Sequence, residues 1–113
     1  MPKRATASGY RSMWLLAMFD LPVVTSENRK HYASFRKTLM NDGFMMLQYS
    51  VYARFLVGEE SAETHRRRIR RVLPPDGQVR LLTVTDHQFA KMEVFYGKKG
   101  AAPEEAPTQM ALF

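Results

Sequence analysis

Met13 to Phe19 reads Met-Trp-Leu-Leu-Ala-Met-Phe, an unbroken apolar run closed by Asp20 and then by Pro22. No other stretch limits the fold so much. The run is far too short to cross a bilayer as a helix, which takes about 20 apolar residues. A strand with one wet face alternates apolar and polar residues, so this run predicts a strand buried on both faces. Pro22 has no N–H to give a ladder, so the strand stops near Asp20. A carboxylate at the end of a central strand is a common place for chemistry. More often it only ends a strand or caps a helix, and both roles stand open for Asp20 at this point.

The chain has 113 residues, of which 45% are apolar. That suggests one domain with one core, and a domain this small gains from dimerisation. With no cysteine, disulfides, zinc fingers and thiol nucleophiles are excluded. Residues 1–11 read as a flexible basic leader without the apolar centre of a signal peptide, which points to the cytoplasm and away from membranes. A net charge of +6 and a pI near 9.9 favour a polyanionic partner such as nucleic acid.

A helix is expected from about Glu27 to Asp42, with Ser26 as its N-cap and Gly43 as a left-handed stop. Its inner face combines Asn28, His31, Tyr32, Phe35, Thr38 and Leu39. Phe44 to Val57 is strand-like, interrupted by Gln48, Tyr49 and Ser50. The interruption reads as a hairpin or as a kink in one strand, and the hairpin is favoured. A second helix opens at Glu60 or Ser61 and reaches about Leu73, where Pro74 and Pro75 stop it. Its stripe is Ala62, Ile69, Val72 and Leu73, with His65 on the same side. After a turn at Asp76-Gly77, Val79 to Thr85 forms a strand, Asp86 to Ala90 a turn or single helical turn, and Lys91 to Tyr96 a last short strand. Residues 97–113 read as a flexible tail. This order predicts an α+β, ferredoxin-like β-α-β-β-α-β domain over residues 12–96, an antiparallel sheet with both helices on one face. The extra C-terminal strand is expected to be exchanged or added across a homodimer.

Arg66, Arg67, Arg68, Arg70 and Arg71 surround Ile69, and no acid lies between Glu63 and Asp76. Such a run repels itself unless an anion sits nearby, so these arginines are assigned to phosphate contacts. On the first helix Arg29 and Arg36, and likewise Lys30 and Lys37, are seven apart and share a side. Two basic helix faces on one side of a sheet suit a duplex backbone. Single-strand binders interleave exposed aromatics, whereas Trp14, Phe19, Tyr32, Phe35 and Phe44 fall at core positions. As a magnesium ligand Asp20 has no acidic neighbour within the chain, and a two-fold dimer that pairs two copies improves the site. His31, His65 and His87 are scattered and read as ordinary surface or core histidines, and Ser50 as a turn residue. Gln109 to Phe113 resembles the Gln-Leu-x-Leu-Phe peptide that binds the bacterial sliding clamp, though a frayed tail is the simpler reading.

Trp14-Leu-Leu-Ala-Met-Phe-Asp20-Leu-Pro, the basic helix after it, Leu47-Gln-Tyr-Ser-Val-Tyr52, and Thr83-Val-Thr-Asp-His-Gln-Phe89 together resemble the CRISPR-associated Cas-two family. They are closest to its variant beside single-effector systems, and the likeness runs from about Tyr10 to Tyr96. The resemblance implies a ferredoxin-like homodimer whose last strand completes the partner's sheet. It also implies a place between two dimers of the Cas-one integrase, where the protein holds the duplex DNA of an incoming spacer. Several members are described as magnesium-dependent endonucleases of RNA or DNA, with the first-strand aspartate, here Asp20, holding the metal at the dimer interface. Met46 stands where some members carry an arginine. The expected function is therefore a duplex-binding scaffold for spacer acquisition, with a Mg2+ endonuclease built on Asp20 as the alternative.

Overall fold

The computed structural model describes residues 12–98. Its centre is β1 (Ser12–Asp20), which pairs on one side with β3 (Val51–Val57) and on the other with β4 (Gln78–Thr85). β2 (Met45–Gln48) adds the far edge, so the antiparallel sheet runs β2-β3-β1-β4. With α1 (Ser26–Asn41) and α2 (Glu59–Arg71) in sequence between these strands, this is the expected ferredoxin-like order.

The pleat splits the apolar run of β1 between two faces. Leu15, Ala17 and Phe19 join Phe35 and Leu39 of α1, Tyr52 and Leu56 of β3, and Ala62 and Ile69 of α2 in one core. Phe19 meets Phe35 edge to face at 5.1 Å, a contact worth about 0.5–1.5 kcal/mol beyond the buried area. Trp14, Leu16 and Met18 turn to the other face. The expectation of a strand buried on both faces holds in part: the helices cover one face, while Trp14 and Met18, on the opposite face, stay partly exposed. On the other, the short helix α3 (Asp86–Ala90) covers only the Trp14 end, stacking Phe89 on the indole at 4.1 Å. Leu16 is nevertheless buried there, shielded by its sheet neighbours. The run is unbroken because both faces are apolar.

α1 begins one residue earlier than expected. Its N-cap is Thr25, whose Oγ1 accepts from the Asn28 N–H at 3.0 Å while Asn28 Oδ1 accepts from the Thr25 N–H at 3.2 Å. With Ser26 as cap, the third helical position would be Arg29, which has no acceptor to complete the box. Gly43 follows the helix at φ +89°, as expected of a left-handed stop. The polar interruption is a hairpin turn at Tyr49 and Ser50, with Leu47 bulged out between Met46↔Tyr52 and Gln48↔Val51.

α2 starts at Glu59 rather than Glu60 or Ser61, directly after Gly58. Its buried stripe is Ala62, His65 and Ile69, whereas Val72 and Leu73 lie beyond its end and stay half-exposed. The expected strand at Lys91–Tyr96 is not formed within the chain. Its alternation fits a strand, but a ladder needs an edge beside it, and α3 carries the chain away over Trp14. Met92, Val94, Phe95 and Tyr96 remain exposed. Among the described residues no helix is long and apolar enough to cross a membrane. The leader at residues 1–11 and the Gln109–Phe113 motif lie outside the described residues.

Candidate nucleic-acid interface and the Asp20 edge

The nine cations expected to meet phosphate divide into two sets. Arg29 donates to the carbonyls of Val23 and Val24 and braces the loop before α1. Arg36 Nε donates to the Tyr52 hydroxyl at 2.6 Å, a bond that raises the guanidinium pKa above its ordinary value. Arg66 bonds Glu59, Glu63 at 3.0 Å and the Thr83 hydroxyl at 2.9 Å. Partial burial works against the Arg66 cation, but these glutamates outweigh it and hold its pKa up. Arg70 reaches Glu63 at 2.9 Å, and Arg68 reaches Asp42 at 2.6 Å. The bonds from Arg66 and Arg70 hold the Glu63 carboxyl below the usual range. Three of the five clustered arginines therefore have carboxylate partners inside the fold. Two of those acids stand one to two turns upstream on α2, and the third reaches across from α1, so the run needs no external anion to hold these three.

Lys30, Lys37, Arg67 and Arg71 have no hydrogen-bond or ion-pair partner among the described residues, and all four are exposed. Arg67 and Arg71 are one turn apart and share a side of α2. The last turns of α1 and α2 meet in a groove lined by Thr38, Leu39, Arg68, Ile69 and Arg71, so the two helices present one surface there. Most of the aromatics read as core residues are core: Phe19, Phe35 and Phe44 are buried and Tyr32 packs against them. Trp14 instead lies on the other face of the sheet, under Phe89. A helix surface with exposed cations can hold a phosphate backbone without stacking bases.

Two residues that sequence reasoning passed over organise this surface. Asp42 takes both His65 Nδ1 and Arg68 Nη1 at 2.6 Å, tying α2 to the end of α1. Arg54 Nε donates to the Asp42 carbonyl at 2.9 Å. An acid directly before a helix-ending glycine is the one local hint of that role. His65 is buried, as its place on the stripe suggested.

Asp20 is exposed at the end of β1, opposite Gln78 of β4. Gly77, at φ +88°, lets β4 begin tight against it: a Cβ there would lie 2.5 Å from the Asp20 carbonyl oxygen. Arg80 stands opposite Met18, on the same face of the sheet as Asp20. The alternation Gln78-Val-Arg-Leu was the signal for that placement. Among the described residues no group of three or more His, Cys, Asp or Glu side chains gathers to hold a metal. Magnesium prefers six oxygens, and one chain offers a single carboxylate here, so the residues of one chain do not fit the ion. Met46, at the position where an arginine was weighed, packs against the core.

A sequence model described as CRISPR associated protein Cas2 matches residues 13–92. The chain belongs to the Cas2 family. It is 50% identical over 101 residues to the CRISPR-associated endoribonuclease Cas2 of Parvibaculum lavamentivorans, covering 89% of this chain and all of the relative. It is 47% identical to the Flavobacterium psychrophilum protein of the same name, covering 92% of this chain and 90% of that one. The crystal structure of Streptococcus pyogenes Cas2 at pH 6.5 superposes with a TM-score of 0.58 at 15% identity, over 74% of this chain and 99% of the other. That likeness is one of fold. Within the Cas2 frame, Asp20 ends the first strand, and Lys30, Lys37, Arg67 and Arg71 lie on the helical side.

Proposed function

We propose that this Cas2 protein is a homodimeric scaffold of CRISPR spacer acquisition, working in the cytoplasm and holding duplex DNA for a Cas1-type integrase. The observation that carries the reading is the set of four exposed, unpartnered cations on the helix side, Lys30, Lys37, Arg67 and Arg71. A duplex offers a regular row of phosphates to such a surface, and each phosphate bound releases counterions, so affinity falls steeply with salt. The homodimer is supported by the uncovered apolar sheet face and by Met92–Tyr96, which has strand alternation but no ladder in this chain. The test is duplex binding across a salt series, with the integrase added. Salt-dependent binding and co-assembly support the scaffold, and absence of duplex binding at low salt removes it.

A second reading is a magnesium-dependent endonuclease of RNA or DNA that uses Asp20 as catalytic residue and metal ligand. It is favoured by the exposed carboxylate at the end of β1 and by the word endoribonuclease in the relatives' names. It needs two copies of Asp20 brought together, because one chain is short of ligands. Magnesium there would polarise a phosphodiester. Wild type and Asp20→Asn are compared in a magnesium titration on duplex DNA and single-stranded RNA. Cleavage by wild type alone establishes this reading, and cleavage by neither protein leaves Asp20 as a structural residue.

A further inference from the structure

The uncovered sheet face is mostly apolar, and its charges lie at one end. Of the residues that β1, β3 and β4 turn to that face, only Asp20 and Arg80 are charged. They are diagonal neighbours, since Asp20 faces Gln78 and Arg80 faces Met18. Such positions lie about 7–8 Å apart along the backbone, within reach of a long side chain. Yet no ion pair joins them, and Arg80 has no partner among the described residues. Six other arginines do better: Arg29, Arg36, Arg54, Arg66, Arg68 and Arg70 each bond a carbonyl, hydroxyl or carboxylate. Arg80 is thus a free guanidinium toward one end of an apolar strand face, beside half-exposed Leu82 and in one row across the sheet with Met18 and Val51.

We infer that Arg80 is the counter-charge of Asp20 in a second copy packed on this face. The inference rests on the homodimer proposed above. In a two-fold interface each residue that one protomer offers is met by the partner's equivalent surface, so the patch must complement itself. A patch whose strand residues carry only one anion and one cation, both at one end, does so when the axis passes near that end. Two Arg80–Asp20 pairs then form, and the repulsion between two facing aspartates is offset. Covering either charge without a partner would oppose association, because a desolvated lone charge costs more than apolar contact returns. The guanidinium fork also matches a carboxylate with two parallel N–H···O bonds. The partner's Arg80 thereby completes the Asp20 site and competes with any cation for the same oxygens.

The test is sedimentation equilibrium of the full chain as wild type, Arg80→Ala, Arg67→Ala and the charge swap Asp20→Arg with Arg80→Asp. Arg80→Ala is expected to weaken dimerisation by roughly 10²-fold or more, as when a desolvated charge loses its partner. The charge swap restores most of that loss, and Arg67→Ala, on the helix side, changes nothing. Arg80 is exposed in the single chain, so a folding defect is not expected, and circular dichroism checks it. A dimer as tight in Arg80→Ala as in wild type overturns the pairing while the homodimer stands. Weakening that the swap fails to restore assigns Arg80 another partner and also overturns it. A wild type that stays monomeric overturns the homodimer itself, and the inference with it.

Discussion

His65 Nδ1 lies 2.6 Å from Asp42 Oδ2, and through that bond α2 is fastened to the residue that closes α1. Both side chains are largely buried, and Arg68 holds the second carboxylate oxygen. Asp42→Ala leaves a buried imidazole and a guanidinium without their acceptor. The expected loss is about 2–3 kcal/mol, read as a lower urea midpoint at unchanged slope. An unchanged midpoint would show that the network contributes nothing net.

The cations separate in the same way when they are replaced. Arg67→Ala with Arg71→Ala should weaken duplex binding and reduce the salt slope by roughly one for each phosphate no longer neutralised, with stability unchanged. Arg36→Ala should instead destabilise the fold by about 1–3 kcal/mol, because the Tyr52 hydroxyl, on a fully buried residue, is left without its partner. Urea melts and salt-dependent anisotropy on the same variants distinguish the two roles.

Glu63 sets an acid limit. Its folded pKa is depressed by Arg66 and Arg70, so its contribution is present above the ordinary glutamate range and is lost as pH falls through the lowered folded value. Thermal melts of wild type and Glu63→Gln should differ near neutrality and converge on acidification through that window. A constant difference across the range would assign the effect to packing.

Gly77→Ala tests the close approach of β4 to Asp20. The new methyl meets the Asp20 carbonyl and Leu21 Cα, at a backbone angle that side chains rarely adopt. A cost of about 1–3 kcal/mol is expected from strain of this kind. Melting temperature measures it, and the size of the Asp20→Asn effect on any magnesium-dependent cleavage should shrink in the same background.

The strand order and the hairpin were legible because each depends on local pattern: a pleat, a turn, a left-handed glycine. Thr25 was missed by one position because a cap is chosen by its partner three residues on, and only Asn28 offers an acceptor. The arginine run was harder to read. Sequence shows five like charges, but helix geometry puts Glu59 and Glu63 on the same side as Arg66, and tertiary packing delivers Asp42 to Arg68. Arg80 escaped notice for the opposite reason. It sits alone in an ordinary strand, and only the register that sets Met18 and Asp20 across from β4 shows what it stands beside.

The central position of β1 also has a kinetic side. Its second ladder waits for residues 78–85, and the indole of Trp14 bonds a residue 72 positions later. Closing so long a loop slows folding relative to a chain of local contacts. Until β4 has been synthesised, Met13–Phe19 keeps one edge unpaired, on an uncharged, β-prone segment of the kind that seeds aggregation. Asp20 and Pro22 then act as gatekeepers: a charge and a residue without an N–H, set where a growing cross-β stack would have to continue.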